Sequence, residues 1–178
     1  MKCFVTYQSK TGNTEKIANV IFEELKSAEH DVRLLPLEET CLDDFEPDLF
    51  FVGFGVEKGF CPPIVGEFLR TLHNQKIALF GTVGLGGSEV YFQHIRDKVM
   101  QYVAKDNEIE GYFFCQGKMP MTVRKKYEAI SNIYPHNEPV QLMLQNFDKA
   151  LTHPDETDIK NAEDFALRMV NKLGKIHE

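Results

Sequence analysis

Four short runs, residues 2–7, 49–55, 76–82 and 110–116, are almost continuously apolar and rich in Phe and Val. A strand with one wet face alternates apolar and polar residues, so runs without alternation predict strands covered on both faces, as parallel sheets require. A fifth run, 31–37, alternates better and is predicted at the sheet edge. Between the runs lie helical spacings over 13–27 (with Ile17, Ile21 and Leu25 on one face), 64–72, 89–103 and 159–173. Strands alternating with helices of this length predict βαβ units with right-handed crossovers, hence an open, doubly wound α/β sheet.

The 178 residues, 43% hydrophobic and 26% charged, predict one soluble domain, with no repeat or Gly/Ser linker to divide it. No apolar run reaches membrane-spanning length, and MKCFVTYQSK lacks the apolar stretch of a signal peptide, so no membrane insertion and a cytoplasmic address are expected. Cys3, Cys41, Cys61 and Cys115 are scattered without metal-ligand spacing, and reduced thiols are expected. A net charge of −7 argues against nucleic-acid binding and fits a basic partner.

Two stretches break the rhythm. Residues 38–48 (EETCLDDFEPD) carry six carboxylates and no base, and read as a solvated connection beyond the edge strand. Residues 117–158 form an insertion before the last helix, with helical pieces expected at 123–132 and 140–151. An insertion this long serves either as a binding segment or as a cover for a sheet edge.

Open parallel sheets bind ligands at the carboxyl ends of their strands, where the winding reverses. That rule selects the loops 9–14, 55–63 and 82–88. In the first, SKTGNT, Gly12 lets the main chain approach an anion at the positive end of a helix, and Ser9, Thr11, Asn13 and Thr14 supply polar groups. Neither GxxxxGK followed by Ser or Thr, nor GxGxxG, occurs at this loop. A terminal monophosphate therefore suits it better than a triphosphate or pyrophosphate.

The run Val5-Thr6-Tyr7-Gln8-Ser9-Lys10-Thr11-Gly12-Asn13-Thr14, with Ala18 beyond it, resembles the phosphate loop of the flavodoxin family. That signature is an apolar strand, an aromatic, then Ser or Thr, any residue, and TGNT. The resemblance covers the βα pattern of residues 1–116 and resumes at the final helix. It implies a five-stranded sheet of order 2-1-3-4-5, bound FMN and a redox role. By position, Ser9, Lys10, Thr11, Gly12, Asn13 and Thr14 would hold the 5′-phosphate.

The resemblance places GVEKGFCPP against the flavin ring, where many family members carry a tryptophan; this chain has none, which leaves Phe60 as the aromatic candidate. In the family a peptide of this loop turns over on one-electron reduction so that its carbonyl meets the flavin N5–H, and Lys58–Gly59 is the matching peptide. The third loop, TVGLGGS, is glycine-rich enough for close main-chain contact, and Thr82, Gly84, Gly86 and Gly87 are its candidates, with Tyr91 as a possible cover. The six histidines suggest no triad or metal cluster, and nothing marks Cys61 as an activated thiol. GKMPMTVRKK, with four bases, is either a solvated face or a docking or cofactor-edge patch.

Bound FMN would carry the chemistry while the protein tuned its potential. The expected function is a flavodoxin-type carrier passing single electrons from a redox-protein donor to an acceptor. An FMN-dependent oxidoreductase of quinone-reductase or protoporphyrinogen-oxidase type, with a pocket walled by 117–158, is the alternative, and a non-redox phosphate-binding module is a third reading. No nicotinamide-binding domain is recognisable in the chain, which favours the carrier.

Overall fold

The computed structural model describes residues 1–41, 45–86 and 88–174. Five parallel strands, β1 (Lys2–Gln8), β2 (Asp31–Pro36), β3 (Leu49–Gly55), β4 (Lys76–Val83) and β5 (Glu108–Gln116), stand in the order β2-β1-β3-β4-β5. The doubly wound sheet expected from the apolar runs is thus present, with β2 on its edge. α1 (Asn13–Ser27) and α6 (Glu156–Gly174) cover one face; α2 (Pro63–Thr71) and α3 (Glu89–Val99) cover the other.

The apolar runs lack alternation because both faces are dry. Cys3, Val5, Phe51, Ala78 and Phe80 point toward α1 and α6, where Phe165 packs edge-on against Phe51. Their neighbours Phe4, Phe50, Val52, Phe54, Ile77 and Leu79 point toward α2 and α3, meeting Val65, Leu69, Ile95 and Val99. Each fully buried large side chain contributes roughly 1.5–3 kcal/mol, so a central strand that buries one on each face at successive positions is strongly anchored.

Three expectations are corrected. The 89–103 helix stops at Val99 and continues as a 3-10 turn over Met100–Tyr102. The β2–β3 crossover contains a 3-10 turn at Leu37–Glu39 rather than a helix, and it is not simply solvated. Phe45 within it is buried against Phe4, with the Arg33 guanidinium 4.2 Å from its ring centroid. Burying one aromatic and stacking a cation on it pins the acidic stretch over β1; residues 42–44 lie outside the described residues. Third, the helical pieces of 117–158 are longer than expected, forming a hairpin of α4 (Met121–Ile133) and α5 (Glu138–Ala150). Met119, Phe147 and Ala150, flanked by Val123, form its small core, and Arg124 bridges to Asp148.

Candidate functional site

At the carboxyl end of the sheet, β1, β3, β4 and β5 each release a loop, and the four loops surround a cleft of about 320 Å³. That volume lies at the lower end of the range for small-molecule sites. The first wall is the β1–α1 loop. Gly12 occupies the left-handed region (φ +81°) as the N-cap of α1, a conformation that costs other residues energy. Its N–H donates to Ser9 Oγ (3.1 Å), and Asn13 Nδ2 donates to Thr11 Oγ1 (3.0 Å). Because Ser9 and Thr11 accept in these bonds, their own hydroxyl protons can still be donated to a ligand. The first-turn amides of α1 have no intrahelical acceptors, and together with the helix dipole they make this corner anion-attracting.

Thr14 and Thr82 join this wall to the end of β4. Their hydroxyl oxygens lie 2.9 Å apart in a buried bond, and both residues line the cleft. Beyond Thr82, Gly84 lines the cleft and Gly86 turns at φ +62°; Gly87 lies outside the described residues. Ser88 caps α3 by accepting from the Tyr91 N–H.

The β3–α2 loop is a tight reversal. Glu57 and Phe60 exchange backbone hydrogen bonds of 2.9 and 3.0 Å around Lys58 (φ +52°) and Gly59 (φ +80°), the sign pattern of a type I′ turn. Gly55, Val56 and Glu57 line the cleft, and Glu57 pairs with Lys10 of the first loop at 2.7 Å. Lys58, Gly59 and Phe60 stand beside the cleft rather than in its wall. Phe60 is 40% exposed, and its ring faces the Lys98 ammonium, 4.4 Å from the centroid. The Tyr91 hydroxyl lies near Gly59. Among the described residues no aromatic side chain lines the cleft.

The fourth wall is the segment after β5, the start of the insertion that the sequence offers as a binding segment, a pocket wall or an edge cover. Gly117, Lys118, Met119, Pro120 and Val123 line the cleft opposite Glu57. The Lys118 carbonyl accepts from Asn13 Nδ2 (2.8 Å), and its N–H donates to the His153 carbonyl (3.0 Å). Gln116 Nε2 and Asn146 Nδ2 both donate to the Gly84 carbonyl at 3.2 Å, tying α5 to the third loop. No local pattern marks Gln116 or Asn146, because their acceptor is 32 and 62 residues away.

The profile of the flavodoxin domain matches residues 4–167 of this chain. The chain belongs to the flavodoxin domain family. It is 38% identical over 172 residues to the flavodoxin-like domain-containing protein BilS of Clostridioides difficile (strain CD3), covering 97% of this chain and 98% of that one. The BilS protein of Clostridium symbiosum (strain WAL-14163) is 30% identical over 187 residues, covering 98% of each. A solved flavodoxin from Streptococcus pneumoniae TIGR4 superposes with a TM-score of 0.61 at 18% identity, over 97% of this chain and 99% of that one, a likeness of fold.

Family membership does not depend on titratable chemistry in this molecule. Burial raises the Cys61 thiol, consistent with an inert side chain. His153, Asp155 and Asp158 do gather: the two aspartates form the capping box of α6, Asp155 N–H to Asp158 Oδ2 (2.9 Å) and Asp158 N–H to Asp155 Oδ1 (3.0 Å), and His153 Nδ1 meets Asp158 Oδ2 at 2.5 Å. Among the described residues no helix is long and apolar enough to cross a membrane.

Proposed function

We propose that the cleft binds FMN and that the protein is an electron carrier, passing single electrons between a redox-protein donor and a redox-protein acceptor. The observation that carries this reading is the anion-attracting corner at the start of α1, continuous with a cleft whose other walls are the loops after β3, β4 and β5. A terminal phosphate suits the corner, where Ser9 and Thr11 hydroxyls and the main-chain amides from Thr11 to Thr14 would hold it. Bound there, FMN would supply one-electron chemistry. The residues orient it: Thr14 and Thr82 hold two walls in register, and Gln116 and Asn146 hold the Gly84 peptide against its own loop. The Lys58–Gly59 peptide, with Phe60, would border the exposed side of the ring. Family membership supports the same reading.

One observation favours the oxidoreductase alternative: Met119, Pro120 and Val123 give the cleft an apolar wall from outside the three expected loops. The purified protein distinguishes the two. Its visible spectrum and the identity of the released flavin come first, then NADH or NADPH is added with and without a quinone. The carrier reading expects yellow protein, released FMN, and reduction by nicotinamide only when a partner reductase is present. Rapid bleaching by nicotinamide alone favours the enzyme, and protein that takes up no FMN removes both.

A further inference from the structure

Three charged residues line the cleft: Lys10, Glu57 and Lys118. Lys10 and Glu57 neutralise each other at 2.7 Å. Lys118 forms no ion pair among the described residues, so it leaves the cleft wall with one uncompensated positive charge in a chain of net charge −7. Its main chain is fixed on both sides, by Asn13 Nδ2 on its carbonyl and the His153 carbonyl on its N–H. Asn13 is the first residue of α1, so the anchor of Lys118 is the phosphate corner itself. Gly117 makes the approach possible, since a Cβ there would lie 2.9 Å from Asn13 Nδ2 and 3.1 Å from Thr82 Cβ.

We infer that Lys118 is a phosphate-binding residue: the segment after β5 brings its ammonium to the phosphomonoester end of the ligand. The inference rests on the FMN reading above and adds a contact to it. The SKTGNT loop offers hydroxyls and amides, and its lysine is occupied by Glu57. A phosphomonoester is close to dianionic at neutral pH, and a lysine ammonium serves such a group as a flexible point charge. Lys118 therefore discriminates FMN from riboflavin, which shares the ring and ribityl chain but lacks the phosphate.

The test measures FMN and riboflavin dissociation constants on flavin-stripped protein, by flavin fluorescence, for wild type, Lys118→Gln, Lys118→Glu and Lys118→Arg. At low ionic strength Lys118→Gln should weaken FMN binding roughly three- to tenfold, the range between an exposed ion pair and a charge-assisted hydrogen bond. Lys118→Glu should weaken it further, Lys118→Arg should restore most of it, and riboflavin binding should stay unchanged in all. The FMN difference should shrink in 1 M salt, where screening acts within about 3 Å. Equal loss of both flavins would show that Lys118 only shapes the loop and would overturn the inference, as would unaltered FMN binding by Lys118→Gln. Wild type that binds neither flavin would instead remove the FMN reading itself, and the inference with it.

Discussion

Replacing Thr14 by Val removes one hydroxyl from a buried pair at the cleft wall, since Thr14 and Thr82 are 1% and 6% exposed and their oxygens lie 2.9 Å apart. Two hydroxyls bring two protons, and the bond between them uses one. The other is free to donate into the cleft. Thr14→Val leaves the Thr82 hydroxyl without its partner, and so does the converse change for Thr14. A buried polar group so stranded costs about 1–3 kcal/mol, whereas replacing both partners by apolar isosteres is nearly neutral. At about 3 °C per kcal/mol for a chain of this length, each single variant should lower Tm by about 3–9 °C. The double variant Thr14→Val/Thr82→Val should lie closer to wild type than the sum of the singles, a coupling of about 1 kcal/mol or more. Thermal and urea unfolding of flavin-free protein read this directly. The double variant also separates stability from binding: it recovers stability yet has no hydroxyl to offer, so its FMN affinity should remain reduced. Strictly additive costs would refute the idea that this bond joins α1 to β4, and wild-type FMN affinity in the double variant would refute the role of the free proton.

Further expectations concern thiols and turns. Burial pushes the Cys3 thiol from 9.0 up to about 12 and raises Cys115 and Cys61 as well. A folded-state pKa above the unfolded one gives stability that is complete below about pH 9 and lost as pH climbs toward 12. Unfolding free energy should therefore fall above pH 9 by up to about 1.4 kcal/mol per pH unit for each thiol. Cys3→Ala should remove one thiol's share of the slope, and a flat profile between pH 8 and 10.5 would contradict the account. Gly59→Ala forces a side chain into φ +80° and should cost about 1–2 kcal/mol. If this turn meets the flavin and turns over on reduction, the strain differs between the two redox states and the same change shifts the first one-electron potential of bound FMN by up to about 40–80 mV in a spectroelectrochemical titration; an unshifted potential would separate the turn from the flavin. Gly117→Ala drives a Cβ against Asn13 and Thr82 and should cost about 1–3 kcal/mol in urea unfolding, with weaker FMN binding. Wild-type behaviour on both measures would show that this contact gives way freely.

Much of the fold is legible because its signals are local or periodic. The helix read over 13–27 coincides with α1, whose buried stripe of Ile17, Ile21 and Leu25 repeats every four residues. The strand runs coincide with β1 to β5 to within two residues, because burial on two faces leaves continuous apolar runs in β1, β3 and β4 and the half-exposed edge leaves alternation in β2. The β2–β3 crossover departs from its expectation because local composition shows its carboxylates but not the Phe4 and Arg33 side chains that hold Phe45. Residue type and loop single out Phe60, and only the fold brings Lys98 of α3, 38 positions along the chain, against its ring.

The first site loop is written locally: a buried strand, a glycine in the left-handed region and a helix start follow one another along the chain, so the anion-attracting corner is specified within one short segment. What closes the cleft around that corner comes from packing between distant segments. Lys118 reaches Asn13 across 105 positions and Asn146 reaches Gly84 across 62, contacts set by where β5 ends and how α4 and α5 fold back. The physical reason is that backbone conformation is governed by near neighbours, whereas the walls of a cleft are chosen by packing between segments that share no local signal.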